Sequence, residues 1–149
     1  MRERFTADLK TAMKSGDKQR VETIRMIVAG LKDRDIEARA AGKTLSDDEI
    51  LALLQKMAKS RQESLGIYEK AGRSDLAEKE RAEIAVISAY LPQPLGEAEV
   101  AEAIRAAIAE TGAASIKDMG KVVAALKTKY TGRIDFAAAS AAVKSALTG

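Results

Sequence analysis

With 149 residues, no cysteine and no histidine, the chain has no means of forming a disulfide, a thiol nucleophile, a histidine-dependent triad or the usual zinc ligand sets. Its composition is 46% hydrophobic and 32% charged, normal for a folded chain, and an aromatic share of 3% favours helices packed through aliphatic residues. The formal net charge of +3, from 25 basic and 22 acidic residues, permits a polyanionic partner without requiring one.

The start, "MRERFTADLK", lacks the apolar centre of a secretory signal. The longest apolar run, residues 84–91, is far shorter than the ~20 residues that span a bilayer. The expectation is a cytoplasmic protein with no membrane partner.

In chain order, a first short helix is expected over residues 4–14, ending at "SGD". A second runs from 18 to about 41 and places Val21, Ile24, Ile27, Val28 and Leu31 on one face, with Gly42 at its end. Ser46, with Glu49 three residues on, forms a capping box for a third helix that closes near Gly72, where a glycine after the last turn belongs. A fourth runs from 74 to about 89 and stops before Pro92. Pro92, Pro94 and Gly96 then break any helix, so residues 92–96 read as a linker between an N-terminal subdomain, 1–91, and a C-terminal one, 97–149.

The second part reads as three helices. "GEAEVAEAIRAAIAETG" ends at Gly112. Ser115 and Asp118 make a weaker capping box for a helix from Lys117 to Tyr130 that closes at Gly132. Asp135 caps a last helix in which Phe136, Val143 and Leu147 recur at helical spacing. No stretch alternates like a strand. The fold class is therefore all-α, a four-helix subdomain of two hairpins followed by a three-helix subdomain.

Three sets of charges stand out. On the third helix Arg61 falls within the apolar stripe of Ile50, Leu54, Met57, Leu65 and Tyr68. On the fourth, Glu80 and Glu83 fall within the stripe of Leu76, Ile84, Ile87 and Leu91. In an antiparallel hairpin about Gly72 these charges lie level, so the three residues read as an ion cluster that sets hairpin register. A catalytic carboxylate pair and a partner-binding pocket are the alternatives; the arginine, which would hold both carboxylates ionised, argues against the first. In "KDRDIEARAAGK", residues 32–43, mixed signs read as an exposed helix end laced with local ion pairs.

The third set lies in "DMGKVVAALKTKYTGRID", residues 118–135. On a helical wheel Met119, Val122, Val123, Leu126 and Tyr130 form a core face. Lys117, Lys121 and Thr128 point the opposite way beside the small residues Gly120 and Ala124, with Lys127 and Lys129 on the flanks. Residues 92–115 carry one basic side chain against four acidic, whereas residues 116–149 carry six basic against two acidic. A flat, small, basic face suits a phosphate backbone. Without aromatics for base stacking, contact would be to backbone and shape. The competing reading is a merely solubilising face.

The runs "RQESLGIYEKAGRSDLAEKERAEIAVISAYLPQPL" and "DMGKVVAALKTKYTGRIDFAAASAAVKSAL" resemble the YqeY-like family. That family is similar to the C-terminal tail domain of the B subunit, GatB, of the bacterial tRNA-dependent amidotransferase. The resemblance covers nearly the whole chain and implies two helical subdomains, a bacterial cytoplasmic setting and a tail that holds the body of a tRNA. It implies that Gly120, Lys121, Gly132, Arg133 and Asp135 belong to an RNA-facing part, with Ile134 standing where the family pattern has a small residue. With the wheel, the expected RNA-binding set is Lys117, Gly120, Lys121, Lys127, Lys129, Gly132 and Arg133. The family also carries a label of carbon–nitrogen ligase with glutamine as amido donor. Nothing in these residues supports it, because the chain has no amidase Ser/Lys signature and no nucleotide-binding glycine loop. The expectation is a non-catalytic module, without cofactor or metal, that binds tRNA or other structured RNA, with an amidotransferase or aminoacyl-tRNA synthetase as possible protein partner. The alternative is a protein-interaction module independent of RNA.

Overall fold

The computed structural model describes residues 1–148. Among them are seven α-helices and no strand: α1 (Arg2–Ser15), α2 (Lys18–Ala40), α3 (Asp47–Lys70), α4 (Ser74–Ser88), α5 (Glu97–Thr111), α6 (Met119–Tyr130) and α7 (Phe136–Thr148). A 3-10 turn, Ile116–Asp118, leads into α6. No helix among the described residues is long and apolar enough to cross a membrane. The chain forms two compact units, Met1–Leu91 and a second that begins at Pro92.

Local chemistry sets most of the helix ends. The Ser46 hydroxyl accepts the Glu49 N–H at 3.2 Å and donates to the Glu49 carboxylate at 3.2 Å, so it supplies one of the partners that a first helical turn lacks. Between α3 and α4 the chain reverses at Gly72, whose φ of 69° lies in the left-handed region that a side chain disfavours. α1 begins two residues earlier than its sequence pattern indicated, with the Arg4 and Phe5 N–H groups donating to the Met1 carbonyl.

In the first unit α3 packs chiefly on α4, α1 on α2, and α2 on α4. The main core joins Phe5, Ile27, Leu31, Ile50, Leu54, Ala58, Ile87 and Tyr90, and a smaller cluster joins Ala12, Val21 and Ile24. Full burial of one such aliphatic side chain contributes roughly 1.5–3 kcal/mol. Val28, expected on the core face of α2, is instead 38% exposed. Thr23 is fully buried, its hydroxyl donating to the Gln19 carbonyl and accepting from the Gln19 amide, both at 3.0 Å. α2 is thus rotated from the position that its aliphatic residues alone indicate, and the hydroxyl enters the core because its own helix satisfies it.

The cluster on α3 and α4 is narrower than the sequence implied. Arg61 Nε donates to Glu83 Oε2 at 2.9 Å, its Nη1 donates to the Met57 carbonyl at 3.1 Å, and its Nη2 lies 3.5 Å from Met26 Sδ. Glu83 is buried. Glu80 stands apart: its Oε2 is buried with no hydrogen-bond partner. A buried carboxylate oxygen without a donor destabilises, so Glu80→Met should raise stability by about 1 kcal/mol in urea denaturation. A loss of that size would mean that the carboxylate holds a partner in solution.

The exposed end of α2 also departs from the local pattern. Arg34 does pair within the helix, with Glu37 at 3.6 Å. Asp35, however, receives two parallel bonds at 2.7 Å from the Arg2 guanidinium of α1, which holds its carboxyl below the usual range.

In the second unit α6 packs on both α5 and α7 around Ala103, Ile104, Ala107, Val122, Leu126 and Val143. The segment expected to be a linker is tied to this unit. The Leu95 N–H donates to the Arg133 carbonyl at 3.0 Å, and Arg133 Nε donates to the Gln93 carbonyl at 2.8 Å.

Candidate nucleic-acid interface

The basic segment does not form one helix from Lys117 to Tyr130. Lys117 sits in the 3-10 turn, and α6 starts at Met119. The Asp118 carboxylate fixes the junction by accepting the N–H groups of Ala114, at 3.0 Å, and Ser115, at 3.4 Å. The Ala114 bond is the main reason that the Asp118 carboxyl lies below its ordinary range; the Ser115 bond and the nearby Lys121 charge act in the same direction.

The wheel assignment of α6 agrees with the burial. Val122 and Leu126 are buried, and Met119, Val123 and Tyr130 are half-buried. Lys117, Gly120, Lys121, Ala124, Lys127 and Thr128 are exposed. A Cβ added at Gly120 would meet nothing within 4 Å, so no packing contact within the chain requires a glycine there. The Lys127 ammonium lies 5.9 Å from the centre of the Phe136 ring, near enough for a weak cation–π attraction.

Three residues of the expected RNA-facing set are placed otherwise. Lys129 Nζ donates to Glu110 of α5 at 2.7 Å, so part of its charge is neutralised across the helix pair. Arg133 is half-buried and spends its Nε on the Gln93 carbonyl. Gly132 is buried. Its role is in the backbone: Thr131, at φ −52° and ψ 127°, precedes Gly132 at φ 80°, and the Arg133 N–H donates to the Tyr130 carbonyl at 2.9 Å. This is a type II turn, which demands a positive φ at its third residue. The buried Ile134, 3% exposed, enters the core after that turn, where a small residue would leave a void. Asp135 Oδ1 then accepts the Ala137 N–H at 3.0 Å in the first turn of α7. The structure therefore leaves Lys117, Gly120, Lys121 and Lys127 as the available face, with Lys129 at its margin.

A second polar constellation escaped the sequence reading. The Tyr90 hydroxyl donates to Asp8 Oδ2 at 2.5 Å, and the Tyr90 ring meets Phe5 edge-on at 4.7 Å. The Arg4 guanidinium stacks over the Tyr90 ring at 4.7 Å. Burial, then the Asp8 bond, push the Tyr90 hydroxyl up to about 12. The raised value stabilises the folded state below the unfolded tyrosine pKa near 10, and that stability is lost as pH rises through about 12. An alkaline absorbance titration should therefore show one tyrosinate forming near pH 12 that Tyr90→Phe removes. Its appearance near pH 10 would mean that the hydroxyl is solvated. Only the Arg4–Asp8 spacing of four residues signals this group in the sequence; Tyr90 lies 82 residues from Asp8.

A family model described as Yqey-like protein matches residues 2–147. The chain is 36% identical over 130 residues to altered inheritance of mitochondria protein 41, mitochondrial, of Pyrenophora tritici-repentis, a match covering 83% of this chain and 70% of that protein. The protein of the same name from Lachancea thermotolerans is 40% identical over 86 residues, 58% of this chain and 45% of its own length. The Eremothecium gossypii protein is 36% identical over 93 residues, 62% of this chain and 50% of its own length. The matches thus span about half the length of the last two relatives. These relatives are fungal and named for mitochondria, so they lend nothing to a bacterial, cytoplasmic assignment. The model match along almost the full chain and the identity to the Pyrenophora protein establish that the chain belongs to the Yqey-like protein family.

Proposed function

We propose that the second unit is a non-catalytic RNA-docking module that holds a tRNA or similarly structured RNA through its phosphate backbone. The observation that carries the reading is the exposed face of Lys117, Gly120, Lys121 and Lys127. Among the described residues Lys117 and Lys121 take part in no ion pair, and Gly120 sits where no internal contact requires it. Exposed ammonium groups around a bare stretch of helix let a bulky anion approach the backbone closely. The likeness to the amidotransferase tail domain supports the same partner class, with an accessory role in tRNA-dependent amidation as its setting. Such a module requires an aqueous compartment with its own tRNA pool, a condition that the cytoplasm and the mitochondrial interior both meet.

The test is titration of a tRNA pool into the wild type and two variants at low salt. Lys121→Glu should weaken binding about tenfold or more, to a similar degree for all RNA sequences, because phosphates carry no sequence information. Gly120→Arg adds charge but covers the bare helix, and binding should fall. A gain would show that charge alone governs the face. Indistinguishable curves, or no binding by the wild type at ~10 μM, where even non-specific nucleic-acid contacts register, would replace this reading with that of a protein-interaction module.

A further inference from the structure

The first unit contains a cavity of about 250 Å³ that the RNA reading does not use. Arg4, Asp8, Arg20 and Tyr90 supply its polar wall, and Ala85, Val86 and Ala89 supply an apolar one. The volume is below the ~300–1,000 Å³ typical of sites for drug-sized ligands.

Both arginines stand off the only carboxylate in that wall. Arg4 Nε is 3.9 Å and Arg20 Nη2 4.0 Å from Asp8 Oδ2, beyond hydrogen-bond reach. That oxygen is already engaged by the Tyr90 hydroxyl at 2.5 Å. Arg4 makes one long bond, Nη2 to the Ala89 carbonyl at 3.3 Å. The Arg20 guanidinium also acts on the Tyr90 hydroxyl. Most of the N–H groups on the two guanidiniums are still left without a protein acceptor beside one cavity. Two cations, one carboxylate and a neutral phenol leave the wall with a single net positive charge.

We propose that this cavity binds a small monocarboxylate with a short aliphatic tail. The guanidinium fork matches the two oxygens of a carboxylate. One added negative charge neutralises the wall, whereas a dianion would face Asp8 with an excess charge. Ala85, Val86 and Ala89 offer the tail an apolar surface. The inference concerns the first unit alone and does not depend on the RNA-docking face.

The experiment follows backbone amide chemical shifts of the whole chain during titration with propionate at constant ionic strength. Chloride and inorganic phosphate, as its dianion, serve as separate arms. Propionate should give saturable shifts at Ala89 and Tyr90 with a roughly millimolar Kd, and phosphate should bind about tenfold more weakly or not at all. Arg20→Gln should weaken propionate by about tenfold while leaving the helical circular dichroism intact. Arg20 is the better variant because Arg4 also stacks on Tyr90 and its loss could disturb the fold. Absence of saturation, equal shifts with chloride, phosphate binding as tight as propionate, or unchanged affinity in Arg20→Gln would each overturn the proposal.

Discussion

Arg61→Ala is expected to destabilise the first unit by about 3–5 kcal/mol, the cost of leaving one member of a buried ion pair behind. The side chains of Arg61 and Glu83 are only 16% and 10% exposed, and their 2.9 Å bond joins α3 to α4. Without the guanidinium, the Glu83 carboxylate has little water and no cation, and the Met57 carbonyl loses a donor. Replacing both partners by methionine should recover most of the loss, to within about 1 kcal/mol of the wild type, because the expense lies in the unpaired charge rather than in the absence of the pair. Two compact units can unfold in separate transitions, so amide exchange at Leu54 and Ile87 is the appropriate reporter for this unit. A loss below 1 kcal/mol for Arg61→Ala would mean that water reaches the pair and that α3 and α4 pack more loosely there.

The second large effect is on RNA affinity. If Lys117, Lys121 and Lys127 each neutralise one phosphate, about 0.7–0.9 counterions are released per contact. Affinity should then fall roughly 20- to 40-fold between 50 and 200 mM salt. Lys129 and Arg133 are left out of this count because Glu110 and the Gln93 carbonyl already engage them. A log–log slope near −2 to −3 is the expected result. A slope near zero would exclude phosphate docking on this face. A slope steeper by about 0.7–0.9, near −3.5, would show that the Lys129–Glu110 pair opens on binding and that its lysine joins the contact. Glu110→Gln distinguishes that case, since removing the competing carboxylate would strengthen binding.

Arg105 and Glu102 form an exposed pair within one turn of α5, at 2.6 Å, and such pairs contribute little to stability. The long-range pairs have more influence on which faces remain open, and these were the part that the sequence did not convey.

What the sequence by itself determined was governed by neighbours within about four residues. The Ser46 cap, the reversal at Gly72, the stop before Pro92 and the core face of α6 all follow from local hydrogen bonds, allowed φ values and the 3.6-residue period. The exposure of Lys121 follows from the same geometry, whereas Lys117 lies in the 3-10 turn before α6. Tertiary structure alone decided which charges meet. Glu83 rather than Glu80 takes Arg61, Asp35 takes Arg2, and Lys129 takes Glu110. Each choice depends on the rotation and crossing of two helices, which the packing of whole core faces sets. A shift of one helix by a fraction of a turn exchanges one level candidate for another. The same cause placed Val28 outside and Thr23 inside. Gly132 is buried too: its type II turn is local in shape, but the neighbouring Arg133 is held by the distant Gln93 and Leu95. Sequence periodicity reports the face of a helix; the neighbour that covers it is a property of the assembled core.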